Sequence, residues 1–182
     1  MKPGISLVDL HLLAERIFLE GLMEMGIIHG DIDDMVKSRL GAIFMPFGVG
    51  HFVGLDLLDV GGYPKNGPPP RTERGLDGLH TTRNMEAGMV ITIEPGLYFN
   101  KPLVKDALND PEFSRFIDEK AIQRFMDFGG VRIEEIVTVT SDGIEVLSCI
   151  PRDVDEIERL MAEGRANENP VLRGNLLPNV KA

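Results

Sequence analysis

The sequence predicts an α+β fold, and three observations carry that reading. Apolar residues recur at helical spacing near both ends of the chain. Two segments in the second half, around residues 90 and 135, have the run or alternation of strands, and the later one continues into a hairpin. Helices and strands do not alternate in a regular β-α-β series, as a parallel sheet would require. The 182 residues suit a chain with a real core, and 43% hydrophobic with 26% charged residues is the balance of an ordinary globular protein rather than a disordered one. Nineteen Lys and Arg against 29 Asp and Glu leave a net charge of -10. That excludes sequence-independent binding to nucleic acid, which needs a basic face. No apolar run reaches the roughly 18–20 residues of a membrane span, and Met1-Lys2-Pro3-Gly4 opens no apolar signal core. One cysteine, Cys149, forbids an internal disulfide and fits a reducing compartment, so the expected location is cytoplasmic. Its side chain reads as a small buried hydrophobe.

Each element has a local reason. Ser6 and Asp9 stand at the spacing of a capping box, with aspartate in the third position. Leu10, Leu13, Ala14, Ile17, Leu22 and Met25 follow at helical spacing, and Gly26 ends the run. A second helix is expected from about Ile32 to Leu40, capped by Asp31 and ended near Gly41. Gly41, Gly48, Gly50, Gly54, Gly61 and Gly62 then crowd a short stretch, which marks close backbone approach rather than packed helix. Tyr63 to Gly78 is polar, and Pro68-Pro69-Pro70 within it reads as stiffening of a surface loop rather than as a docking motif. Met89 to Glu94 is a mostly buried strand stopped by Pro95-Gly96, with Val90, Thr92 and Glu94 on one face. Leu103 to Leu108 reads as a helical turn, Pro111 as a break, and Ile117 to Phe128 as helix again. Val131 to Thr140 alternates as one long strand, Ser141-Asp142-Gly143 is a turn, and Ile144 to Ile150 returns. Asp153 caps a last helix to about Glu163. The chain divides into a domain over 1–164 and a tail over 165–182, expected to be mobile.

Three ionisable residues are hard to explain as ordinary structure. His51 sits among glycines and apolar residues, although a histidine so placed is more often a satisfied buried side chain than a ligand. Glu94 ends an apolar strand, where a carboxylate is costly to bury unless it is paired or metal-bound. Glu134 shares its strand face with Arg132, so an Arg–Glu ion pair is a plain alternative to a ligand role. The intervals between the three are 43 and 40 residues, so only tertiary structure could unite them. One histidine and two carboxylates suit Mn, Zn, Fe or Co, and spacing does not choose among these.

Four segments together carry a resemblance: Gly50-His51-Phe52-Val53-Gly54, Asp59-Val60-Gly61-Gly62-Tyr63-Pro64, Glu94-Pro95-Gly96-Leu97-Tyr98-Phe99 and Gly129-Gly130-Val131-Arg132-Ile133-Glu134-Glu135. Lys2-Pro3-Gly4, Gly41-Ala42 with Phe44-Met45-Pro46, and Ile150-Pro151-Arg152 extend it. In this order they resemble the C-terminal half of the catalytic domain of the Xaa-Pro dipeptidases (prolidases), of the M24 metallopeptidases. The resemblance runs from residue 1 to about 164 and implies part of a creatinase-like "pita-bread" fold. It further implies a two-metal hydrolase, usually with Mn, whose ligands are two aspartates, one histidine and two glutamates. His51, Glu94 and Glu134 match the last three, with Glu134 bridging both metals.

The departures from the pattern are equally specific. The two aspartates belong to the family's preceding half-domain, which nothing in these 182 residues resembles. Leu58 stands where the family has a histidine that holds substrate and stabilises the tetrahedral intermediate, and leucine can neither donate a hydrogen bond nor carry charge. Phe47 replaces another histidine. His80 replaces an arginine that binds the substrate's carboxylate, while Arg83 and Arg132 are retained, Arg132 facing the cleft. The substrate-binding candidates are therefore His80 and Arg132, and no catalytic residue is assigned. The expectation is a prolidase-like chain that holds at most one Mn and does not hydrolyse dipeptides alone. The alternative is a non-catalytic fragment that binds a partner or a single metal. Half of such a domain exposes apolar surface, so a homodimer, or a heteromer with a full-length family member, is expected.

Overall fold

A computed structural model describes residues 1–148 and 150–166; Cys149 and most of the expected tail lie outside the described residues. The first helix, α1 (Leu7–Glu24), starts at the capping box: Ser6 Oγ accepts from Asp9 N at 3.1 Å, and Ser6 N donates to the Asp9 carboxylate at 3.2 Å. It ends where Gly26 takes φ +68° and the Ile27 amide reaches back to the Leu22 carbonyl. Its buried face is not the all-apolar stripe the spacing suggests. Leu13, Ile17 and Met25 are exposed, while Leu7, His11, Glu15, Leu19 and Leu22 face inward. The helix is rotated because His11 and Glu15 satisfy each other inside, Nε2 to Oε1 at 3.0 Å.

That buried carboxylate also ends the next helix early. α2 (Ile32–Lys37) is capped by Asp31, which accepts from the Asp33 and Asp34 amides, and it stops three residues short of Leu40. Arg39 adopts φ +64° so that its guanidinium reaches Glu15 at 2.7 Å and the Arg74 carbonyl at 3.0 Å. A separate short helix, α3 (Gly41–Phe44), follows. A Cβ on Gly41 would lie 2.8 Å from the Glu15 side chain, so only glycine lets α3 settle on it.

The strands form two antiparallel sheets. β1 (Val90–Ile93) and β2 (Gly96–Tyr98) are separated by Glu94-Pro95. Three short helices come next: α4 (Lys101–Asn109), α5 (Pro111–Ser114) and α6 (Glu119–Gln123). Pro111 opens α5 rather than merely breaking the chain, because a first-turn position needs no N–H and Asp110 caps it. α6 is shorter than the expected 117–128, starting where Asp118 accepts from Ala121 N at 2.8 Å.

The single strand expected over 131–140 is two: β3 (Gly130–Arg132), paired with β2, and β4 (Glu135–Val139), paired with β1. The last β1/β4 pair is Ile93 with Glu135, and the first β2/β3 pair is Gly96 with Arg132. Glu94-Pro95 therefore lies opposite Ile133-Glu134, where the paired chains cross from one sheet to the other. Proline has no amide for the ladder, which suits a break here. β5 (Ile144–Val146) completes the order β1-β4-β5 after a turn in which Gly143 N donates to Thr140 Oγ1. α7 (Val154–Ala166), with Asp153 accepting from Glu156 N, has no buried residue.

Two cores result. One joins α1–α3 to α4–α6 through Leu19, Leu22, Met35, Phe44, Phe99 and Ile122. The other joins the start of α1 to the larger sheet through Leu7, Val49, Phe52, Met85, Ile91 and Val137. Leu55, Leu57, Leu58 and Val60 stay exposed together in one loop, as do Val131 and Ile133 beside the sheet break. No helix among the described residues is long and apolar enough to cross a membrane. Replacing Glu15 by alanine would leave the Arg39 guanidinium without its counter-charge; urea unfolding should show a loss of about 3–5 kcal/mol, and a loss under about 1 kcal/mol would contradict this role.

Candidate functional site

The glycine-rich segment reaches the site by lying against β1. Thr92 N donates to the His51 carbonyl at 2.9 Å and Glu94 N to the Val49 carbonyl at 2.7 Å. A Cβ on Gly50 would fall 2.0 Å from the Thr92 carbonyl oxygen, so the approach depends on glycine there. Buried Thr92 then organises both functional neighbours. Its hydroxyl accepts from His51 N at 3.0 Å and lies 2.9 Å from Glu94 Oε1, to which it donates. Its place on the Glu94 face was legible in the two-residue period; its role was not.

His51 Nδ1 lies 2.9 Å from the Phe52 carbonyl oxygen. A carbonyl only accepts, so Nδ1 carries a proton, and in the neutral ring Nε2 then presents a lone pair. That nitrogen faces Glu94 Oε1 at 3.2 Å, with both side chains only 12% exposed. Two acceptors face each other, an arrangement that a cation or a second ring proton would satisfy.

Arg132 neutralises the other side. Nη1 lies 3.0 Å from Glu94 Oε2 and Nη2 lies 3.1 Å from Glu134 Oε2, so the guanidinium bridges the two carboxylates across the sheet break. The ion pair that the sequence allowed as an alternative is thus present, and it includes Glu94 as well. Glu135 turns the opposite way, to Ser148 and Arg152.

These residues open on a cleft of about 370 Å³ lined also by Phe47, Leu57, Gly78 and His80. The His80 ring stands edge-on to His51, with centroids 5.7 Å apart. Its backbone is held from behind: Tyr63 Oη donates to the Leu79 carbonyl at 2.6 Å, and Gly62 packs under the His80 carbonyl. Burial raises the Tyr63 phenol above its ordinary pKa. Phe47 packs edge-to-face on Tyr98. Leu58 does not line the cleft and is 55% exposed; Leu57, which was not singled out, takes a place in the wall. Arg83 is engaged elsewhere, donating to the Gly61 carbonyl and pairing with Glu86.

As donors for a metal, His51 Nε2 and Glu94 Oε1 offer adjacent positions on one ion, since ligands with bonds of about 2.1 Å sit roughly 3 Å apart. Glu134 is held by Arg132. Among the described residues no three His, Cys, Asp or Glu side chains stand ready as a ligand group. The chain therefore fits part of a metal centre and leaves the rest of the shell to further donors.

The family model described as metallopeptidase family M24 matches residues 1–141, and the chain belongs to that family. Over 162 residues it is 54% identical to the Xaa-Pro dipeptidase of Homo sapiens and 52% identical to that of Rattus norvegicus, covering 89% of this chain and 33% of each relative. The chain thus spans about a third of the length of the curated relatives it matches. Among solved structures it resembles the aminopeptidase PepP of Pseudomonas aeruginosa, with TM-score 0.66 and 29% identity over 92% of this chain and 31% of that one. It is similarly close to an Escherichia coli aminopeptidase P, with TM-score 0.64 and 30% identity over 91% and 31%. The fold is a part of the pita-bread fold of those enzymes.

Replacing Arg132 by glutamine would leave Glu94 without its cation. Chemical denaturation should show a loss of about 1–3 kcal/mol, and an unchanged midpoint would show that the bridge contributes nothing.

Proposed function

We propose that this chain is the portion of an Xaa-Pro dipeptidase-type hydrolase that supplies His51, Glu94 and Glu134 to a divalent-metal centre, and that it does not cleave dipeptides by itself. The observation that carries the reading is the convergence of His51, Glu94 and Glu134, from three distant segments, on one cleft. The similarity to Xaa-Pro dipeptidases over 89% of the chain supports the substrate class, a dipeptide with C-terminal proline. Manganese, the usual ion of such centres, would acidify a water and polarise the scissile carbonyl when bound.

The chain's own residues would then do the following. Thr92 and the Phe52 carbonyl hold Glu94 and His51 in their ligating orientation. Arg132 pairs with both glutamates and sets the spacing between them. His80, at the cleft mouth, is placed to meet a substrate carboxylate, though with one ring donor rather than the fork of an arginine. Phe47 and Leu57 make one wall apolar; Leu58, at the position where the family resemblance places an oxyanion donor, lies outside this wall and could supply no such donor. Losing such a donor costs about 10²–10³ in rate.

The same substitutions favour a second reading, a non-catalytic prolidase-like partner. The exposed Leu55, Leu57, Leu58 and Val60 in one loop, and Val131 and Ile133 at the sheet break, offer apolar surface for the aspartate-bearing half, from a second copy or a full-length family member. The single cysteine keeps a reducing, cytoplasmic setting as the proposal for its compartment.

Two outcomes are expected. The purified 182-residue chain with Mn releases no proline from Gly-Pro above the uncatalysed rate; measurable Mn-dependent release would overturn the proposed inactivity. Joined to a family first half carrying both aspartates, the chain with Leu58→His and Phe47→His should hydrolyse Gly-Pro about 10²–10³ times faster than the joined chain without them. Equal rates would show that the two substitutions are not what limits it.

A further inference from the structure

We propose that Asp77-Gly78 is a spontaneous modification site, at which the aspartate isomerises to isoaspartate and reshapes one wall of the cleft. The inference needs only the geometry around Gly78 and holds whatever the cleft binds.

The reaction is intramolecular. The Gly78 amide nitrogen attacks Asp77 Cγ and forms a new C–N bond. The amide proton and the carboxyl hydroxyl leave together as water, which closes a five-membered succinimide. Water then opens the ring. Cleavage of the new bond restores aspartate. Cleavage between the Asp77 main-chain carbonyl carbon and the Gly78 nitrogen leaves isoaspartate, in which the chain runs through Cβ and Cγ and is longer by one methylene. One water is lost and one is consumed, so no further reactant is needed.

The sequence offers this chemistry at Asp77-Gly78 and Asp142-Gly143, and a related reaction that releases ammonia at Asn66-Gly67. The structure separates the three. A glycine amide that is already donated must break that bond before it attacks. Gly143 N donates to Thr140 Oγ1 at 2.9 Å, and Gly67 N to the Pro64 carbonyl at 2.8 Å. Gly78 N has no acceptor among the described residues. The carbonyl four residues back, on Arg74, is engaged by Arg39 Nε at 3.0 Å. The Asp142 carboxylate also accepts from Thr140 Oγ1, whereas that of Asp77 has no partner among the described residues. Asp77 and Gly78 are both exposed, so water reaches them. The nearest atoms to where a Gly78 Cβ would stand are 3.9 Å away, which leaves room for the ring to close.

The product would alter the cleft. Gly78 lines it, and His80 follows two residues later. A Cβ on Gly48 would lie 2.9 Å from the Gly78 carbonyl oxygen, so the Phe47-Gly48 backbone packs on that carbonyl. An added methylene before Gly78 shifts the carbonyl, and with it the Phe47 wall and His80.

The test is to hold the full chain at neutral pH and body temperature for several weeks and digest samples with trypsin. Asp77 falls in the Gly75–Arg83 peptide and Asp142 in the Ile133–Arg152 peptide. An isoaspartyl peptide keeps its mass but resists a protease that cuts before aspartate. In the folded chain Asp77 should convert about two- to tenfold faster than Asp142, the rate ratio of one amide hydrogen bond that must first be broken. In urea, where both amides are free, the two rates should converge. Gly78→Ala, whose Cβ has room, should slow conversion of Asp77, with thermal melting as the check that it folds. Conversion of Asp77 no faster than that of Asp142 in the folded chain, or an unchanged rate in folded Gly78→Ala, overturns the site. Amide NMR signals of Phe47 and His80 should move in the isoaspartyl chain; if Asp77 converts and neither moves, the effect on the cleft is overturned.

Discussion

A carboxylate at the end of an apolar strand must be neutralised, and the cleft is arranged around how Glu94 is. One oxygen receives the Thr92 hydroxyl and faces His51; the other is paired with Arg132. Each partner comes from a different piece of chain, and each is there for a backbone reason. His51 is brought in because Gly50 lets its segment touch β1. Arg132 is brought in because β3 pairs with β2 one step beyond the break. The two ladders keep one register across the break, so Glu94 lies opposite Glu134 and Arg132 stands beside both.

A second buried carboxylate organises the other end of the molecule. Glu15 lies inside, against His11 and Arg39, and three irregularities follow: the rotated face of α1, the positive φ at Arg39 and the glycine at 41. Arg39 also holds the Arg74 carbonyl. Through this bond the helical layer is tied to the loop that leads to Gly78 and His80 in the cleft. A buried ion pair of this kind is a weak source of net stability but is costly to break.

The α+β class, the capping box, the helix starts at Asp31 and Asp153, and the hairpin turn at Ser141-Asp142-Gly143 were legible because each depends on local chemistry. The faces of α1 were not, since an apolar stripe at Leu13 and Ile17 outweighs His11 and Glu15 in any periodicity that ignores pairing. The split of the strand at Ile133-Glu134 was hidden for a related reason: alternation continues through the break, and only the partner strand's Pro95 gives it away. The convergence of His51, Glu94 and Glu134 was legible through the family resemblance and not through spacing. The roles of Thr92 and Leu57, and the bridging of both glutamates by Arg132, needed coordinates.

The central claim is that the Glu94–His51 contact is a half-built metal shell. Anomalous diffraction at the manganese edge, from crystals of this chain joined to an aspartate-bearing first half, tests it most directly. The predicted result is an anomalous peak within about 2.0–2.3 Å of both His51 Nε2 and Glu94 Oε1. A contradictory result would be no peak there, with those two atoms still in direct contact and the metal held by other residues.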